Sequence, residues 1–191
     1  MTLQLKITLL GTQKPPVWRR VAIDDAHTFF DLHGTIQTVF GWHSSHLWEF
    51  GYKPFDSELS IGMVMDDVFS SDERKVTDAQ KVQLEEYLYE EGQVFSYMYD
   101  FGDSWEHQIV VEKTLDDILD APSLLAGKGK CPPEDCGGVW GYYNLVEAVN
   151  DPKHEEHEDM REWLGMNPGE KWDVNEFDLA VQQEKLEDAF G

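Results

Sequence analysis

The chain predicts an α+β fold: an antiparallel sheet with packed helices and a mainly helical C-terminal third. Three observations carry this. Leu3, Leu5, Ile7 and Leu9 alternate with Thr2, Gln4, Lys6 and Thr8, the period-two mark of a half-buried strand. Strand-like runs at 93–100 and 105–113 flank Phe101-Gly102-Asp103-Ser104, which reads as a hairpin. Past residue 140 the apolar spacing turns helical, and strands first with helices last is the order of an α+β protein. The 191 residues fit one domain, strand-rich over 1–120, a loop over 121–139 and helical over 140–191.

Taken in order, turn residues at 11–16 end the first strand and Val17-Trp18-Arg19-Arg20-Val21-Ala22-Ile23 forms a second, antiparallel to it. Thr28 is the N-cap of a helix, with Asp31 three residues on to reach back. Phe29, Leu32, Ile36, Val39 and Phe40 follow at helical spacing, and Gly41 stops the helix. A third strand spans 47–52. A long loop with short elements fills 55–74, and 78–91 reads as a short strand or turn followed by a short helix capped by Gly92. After the hairpin, 115–119 suggests a helical turn and 121–139 a Pro/Gly-rich loop. Three helices follow at 142–150, 155–164 and 176–190, separated by Asp151-Pro152 and Asn167-Pro168-Gly169.

Composition bounds the chemistry. Aromatic residues make up 13% of the chain, enough buried area for a true core despite a modest 41% hydrophobic content. Fifteen basic against 38 acidic residues leave a formal net charge of −23. Nucleic-acid binding needs Lys and Arg to displace counterions, so direct binding to a phosphate backbone is disfavoured. The same repulsion disfavours an anionic membrane surface. What the charge allows is a basic protein partner, a divalent cation, or simple solubility. The N-terminus lacks a signal-peptide pattern and no apolar run reaches membrane length, so the expected location is cytoplasmic. There, two cysteines are more often thiols, ligands or redox groups than a structural bridge.

Two segments stand out. In Cys131-Pro132-Pro133-Glu134-Asp135-Cys136-Gly137-Gly138 the prolines restrict the backbone and the glycines permit close approach. Both cysteines of the chain lie here. The second segment, Tyr97 through His107, places Asp100, Asp103, Trp105 and His107 around the hairpin turn. Carboxylates and imidazole together can hold a divalent ion or exchange protons; alternatively the Asp side chains bond local backbone N–H groups in a tight turn. With one cysteine pair, zinc needs ligands from elsewhere. The candidate metal set is therefore His46, Asp103, His107, Cys131 and Cys136, with Asp135 a further carboxylate. Buried thiols and a reversible disulfide are the competing readings of the cysteines.

Other features carry less. His154 and His157 fall on a charged helix start and read as surface histidines. Arg19 or Arg20 pairs with a hairpin carboxylate or holds a phosphate. Asp100-Phe101-Gly102-Asp103 contains the kinase triplet without the kinase's other motifs. No serine-nucleophile motif or phosphate-cradling glycine loop is present.

Val17-Trp18-Arg19-Arg20, Leu32-His33 through Gly41-Trp42, His46-Leu47, Tyr99 through His107, and Cys131 through Gly138 with Gly141-Tyr142 closely resemble the plasmid Ri ORF-three-like family. That family includes TnpR-like passenger proteins of insertion elements. The resemblance covers nearly the whole chain. It implies an α+β fold and a mobile-element association, and it supplies no catalytic residues. The approach to Cys131, Leu125-Ala126-Gly127-Lys128-Gly129-Lys130, is less basic than expected of relatives, which weakens a phosphate role for this loop.

The favoured function is a non-enzymatic, acidic protein-interaction module with a basic protein partner. Its functional surface is expected at Asp100, Asp103, Trp105, His107, Cys131, Glu134, Asp135 and Cys136. The alternative is a metal-dependent, hydrolase-like enzyme in which Asp100, Asp103, His107 and Cys136 converge. A closed junction of mutual hydrogen bonds favours the first, an open cleft the second.

Overall fold

The alternating N-terminal run becomes strand β1, Thr2–Leu9, which pairs antiparallel with β2, Val17–Asp24. The structure, a computed structural model, describes residues 1–64 and 75–191. Helix α1, Phe29–Phe40, follows β2. Strands β3 (Trp48–Gly51), β4 (Ser60–Gly62) and β5 (Val76–Asp78) come next, then a short 3₁₀ turn at Leu84–Glu86. The hairpin is β6, Val94–Tyr99, with β7, Trp105–Leu115. Strand β8, Ser123–Lys128, precedes helices α2 (Gly138–Asn150), α3 (His157–Trp163) and α4 (Leu179–Phe190).

The described strands form one eight-stranded sheet in the order β5-β4-β3-β6-β7-β1-β2-β8. Every pairing is antiparallel except β4 with β5. Both expected strand pairs form, and the α+β class holds. Leu3, Leu5, Ile7 and Leu9 are fully buried, as the alternation requires. Their inner face meets α1, which buries Phe29, Leu32, Ile36, Val39 and Phe40.

The caps of α1 follow the sequence. Thr28 Oγ1 accepts from the Asp31 N–H at 3.2 Å, and Asp31 Oδ2 accepts from the Thr28 N–H at 2.8 Å. Gly41 adopts φ 84°, a left-handed cap open to glycine.

Several expectations change. Leu115 ends β7 and 115–119 makes no helical turn, because β7 continues along β1 as far as the pair Thr2↔Leu115. The segment 121–139, expected as loop, contributes β8, which completes the pairing of β2 through Trp18↔Lys128. Within 55–74, residues 60–62 are strand β4, and 65–74 lie outside the described residues. Helices fill only part of the C-terminal third. Helix α2 starts early, at Gly138, whereas α4 starts at Leu179 because Asp178 caps it through the Ala180 and Val181 N–H groups.

Candidate functional site

Three stretches of backbone meet at one end of the sheet: the segment after α1, the β6–β7 turn and the cysteine loop. Trp42, directly after the Gly41 cap, is the first tie. Its buried Nε1 donates to Pro132 O at 2.9 Å, and its ring stacks on Tyr99 at 5.1 Å. The Tyr99 hydroxyl accepts from the Ser45 N–H at 3.1 Å and donates to Glu134 Oε1. Glu134 Oε1 also accepts from the His43 N–H at 3.2 Å. Burial first, and then this carboxylate, hold the Tyr99 hydroxyl well above its ordinary pKa.

The hairpin turn closes on the cysteine loop from the other side. Asp103 Oδ2 accepts from the Gly137 N–H at 3.0 Å. A Cβ on Gly138 would stand 2.4 Å from Asp103 O, and one on Gly141 1.8 Å from Cys136 O. Only glycine allows α2 to start this close to both loops, which accounts for the Gly137-Gly138…Gly141 pattern. Asp100 Oδ1 accepts from the Gly102 N–H at 2.9 Å, the turn-forming role open to an Asp at this position. Four of the six described non-glycine residues with positive φ lie at this junction: Ser44, Asp100, Ser104 and Asp135. Backbone held in this sparsely populated region persists only where the surroundings over-determine it.

The expected site residues separate into two groups. Asp100, Asp103, Glu134, Asp135 and Cys136 do gather at the junction, and Cys131 of the same loop packs against the core. Trp105 and His107 do not join that surface. Both are fully buried, on the inward face they share in β7. His107 packs edge-on to Phe40 and Trp42, its Nδ1 lies 3.0 Å from Trp105 O, and burial lowers its pKa to about 3.

Of the candidate metal ligands, His107 is the one that the fold removes, by burying it in the core. Asp103 serves Gly137, and the two cysteines are free thiols. Burial, reinforced by Asp103, pushes the Cys136 thiol up to about 12, and burial pushes Cys131 up further against the pull of Arg19. Neither is a thiolate near neutral pH. Among the described residues, the member of the set that lies in a group of three possible ligands is His46, with Asp100 and Asp135.

The arginine pair divides as strand geometry demands. Arg20 forms an ion pair with Glu112 of the hairpin strand β7. Arg19 points inward and is 2% exposed. It donates to the carbonyls of Trp18 and Lys128 at 2.9 Å, Val39 at 2.8 Å and Gly129 at 3.1 Å, which leaves its fork no room for a phosphate. Lys130 lies over Trp172 and pairs with Glu176, so the approach to Cys131 is also structurally committed. His157 Nδ1 bonds Ala148 O at 2.7 Å, and His154 Nδ1 accepts from the Glu156 N–H. Both histidines brace local structure.

Sequence reasoning missed a groove beside the junction. It encloses about 230 Å³ between the cysteine loop, α2 and α3, lined by Asp135, Cys136, Asn144, Leu145, Met160 and Trp163. Trp163 is 51% exposed, and Trp140, one helical turn from Asn144, is 89% exposed. Residues 131–163 carry nine Asp or Glu against two Lys or Arg. One of those two, Arg161, is tied to the carbonyls of Val149, Asn167 and Glu170. Among the described residues no helix is long and apolar enough to cross a membrane.

The comparisons agree with this architecture. Residues 1–181 match the family described as plasmid pRiA4b ORF-3-like protein. The uncharacterized protein y4hQ of Sinorhizobium fredii (strain NBRC 101917 / NGR234) is 39% identical over 169 residues, 85% of this chain and 80% of that protein. The crystal structure of MM3350, a protein of unknown function from Methanosarcina mazei Go1, superposes with a TM-score of 0.76. It shares 34% identity, and 94% of each chain is covered.

Proposed function

The chain belongs to the plasmid pRiA4b ORF-3-like protein family, and from that premise we propose that it is a non-enzymatic recognition module for a basic protein segment. One observation carries this reading. The polar groups of the hairpin turn and cysteine loop bond one another and form a firm edge beside a groove lined by Asp135 and the exposed Trp163, in a segment where acidic residues outnumber basic ones nine to two and Trp140 is also exposed. An apolar side chain of the partner enters between Leu145, Met160 and Trp163. Flanking Lys or Arg side chains meet Asp135 and the carboxylates of α3, and lie over Trp140 or Trp163, whose faces attract cations. Rigidity here lowers the cost of association, because little is left to order on binding.

The hydrolase-like alternative has less support. That alternative needs His107 beside Asp100, Asp103 and Cys136, and His107 instead lies fully buried against Phe40 and Trp42. Burial keeps the His107 imidazole neutral with a pKa of about 3, and keeps Cys136 a thiol up to about 12.

The test is a tryptophan-fluorescence titration with a 15-residue Arg/Leu peptide and its Glu/Leu counterpart. The expected result is micromolar binding of the basic peptide alone, weakening as salt rises. Replacing both Trp140 and Trp163 by Ala leaves the charge intact and should weaken binding at least about tenfold, read by anisotropy of a labelled peptide. Equal affinity of this double variant, or equal binding of the acidic peptide, would sink the proposal.

A further inference from the structure

We propose a divalent-cation site formed by His46 Nε2, Asp100 Oδ2 and Asp135 Oδ1, suited to a borderline first-row ion such as zinc. It does not rest on the recognition reading. The three ligands come from the three chain segments that build the junction, and their ligand atoms all lie within 4.8 Å of one another. His46 Nε2 is 3.2 Å from Asp135 Oδ1 and 3.7 Å from Asp100 Oδ2. A tetrahedral zinc with bonds of about 2.0–2.2 Å holds its ligand atoms roughly 3.4 Å apart. The two separations from Nε2 lie on either side of that value.

A second observation points to a ligand. Nε2 of His46 is closed to solvent and has no hydrogen-bond partner among the described residues, although two carboxylates lie close by. Buried nitrogens ordinarily find a partner; Trp105 Nε1 and His107 Nε2 in the core also lack one, but His46 Nε2 faces two carboxylates. An ion between imidazole and carboxylates gives this nitrogen the partner it lacks, and the mixed nitrogen–oxygen donor set is one that zinc accepts.

The surroundings hold the ligands in place. Asp100 Oδ1 is occupied by the Gly102 N–H, which leaves Oδ2 as the free ligand oxygen. The His46 ring stands edge-on to Tyr99, with centroids 5.8 Å apart. Asp135 is the outermost ligand, its side chain 69% exposed, so the remaining coordination positions face solvent. An ion here fastens the segment after α1, the hairpin turn and the cysteine loop to one another.

Calorimetry and thermal melts on the chelator-treated full chain test this, with zinc and with manganese as probes. The expected result is one ion per chain at micromolar affinity and a melting temperature that rises with ion concentration. His46→Ala and Asp135→Asn should each weaken binding at least about tenfold and abolish the shift in melting temperature, since each removes a ligand. Asp135→Asn is nearly isosteric and lies at the surface, so it remains informative if His46→Ala fails to fold. Cobalt loading should give a spectrum without a thiolate charge-transfer band. Unchanged binding in Asp135→Asn, a thiolate band, or no binding of either ion up to about 1 mM would each overturn the proposal.

Discussion

Arg19 and His46 each stand where three stretches of chain meet, and the two places are held together by opposite means. Around Arg19 the cation is sealed inside. Its hydrogen bonds among the described residues go to backbone carbonyls from β2, the end of α1 and the end of β8, and its guanidinium lies 4.3 Å from the Phe177 ring centre. Desolvation lowers its pKa only to about 10, so the charge persists. Around His46 the partners are carboxylates at a half-exposed rim. Neutral carbonyls around a permanent cation give a fixture that solution conditions do not alter. Carboxylates beside an imidazole at a rim open to solvent give a joint that salt or a bound cation can reach. The difference teaches which of two well-built junctions can serve as a site.

The largest effect should come from breaking the sealed junction. Arg19→Met leaves several buried carbonyls without donors and should cost about 3–5 kcal/mol. Arg19→Lys should recover only part of this, because an ammonium cannot reproduce the planar fork. Urea unfolding measures both. A loss below about 1 kcal/mol for Arg19→Met would mean that the carbonyls find water and that the contrast is false.

Acid should act next, and from the interior. Burial lowers the pKa of both His33 and His107 from 6.5 to about 3. The unfolded chain binds these protons first, so their contribution is intact above pH 6.5 and is lost as pH falls toward 3. Glu112, held near 2 chiefly by its hydrogen bond to Arg20, adds a loss in the same direction below 4.5. Between pH 7 and pH 4 each histidine should account for on the order of 3 kcal/mol. Urea midpoints across that range should flatten in His107→Gln. An identical slope in the variant would move the acid sensitivity elsewhere.

The smallest effect should be at the rim. Glu134→Gln keeps a carbonyl oxygen for Tyr99 and for the His43 N–H, so about 1 kcal/mol is expected from the lost charge. A cost matching that of Arg19→Met would show that the rim is as rigidly determined as the interior.

The sequence made the interior legible more readily than the rim. Leu3, Leu5, Ile7 and Leu9 need only period two, and the box of Thr28 with Asp31 needs only a spacing of three. Those are local patterns. Strand β8 was missed because its burial barely alternates and Gly127 and Gly129 give it the look of a turn. It is a strand because the edge of β2 offers pairing, a fact of tertiary structure. His107 was misjudged although the decisive signal was present: it shares a face of β7 with Trp105, and a face with a buried tryptophan is the core face. That His46, Asp100 and Asp135 meet was not readable from any spacing, since 54 and 35 residues separate them by number. The exposure of Trp140 was equally hidden, because a tryptophan in an apolar helix reads as core until its neighbours are known.

The junction also has a place in time. Trp42 bonds Pro132 across 90 residues, and His43 meets Glu134 across 91. Contacts of such long sequence separation wait for loop closure and for the sheet beneath them, so this edge is among the last features to form. A chain in which residues 131–138 have not yet been made has no such edge, and the junction exists only once that loop has docked on Trp42 and His43.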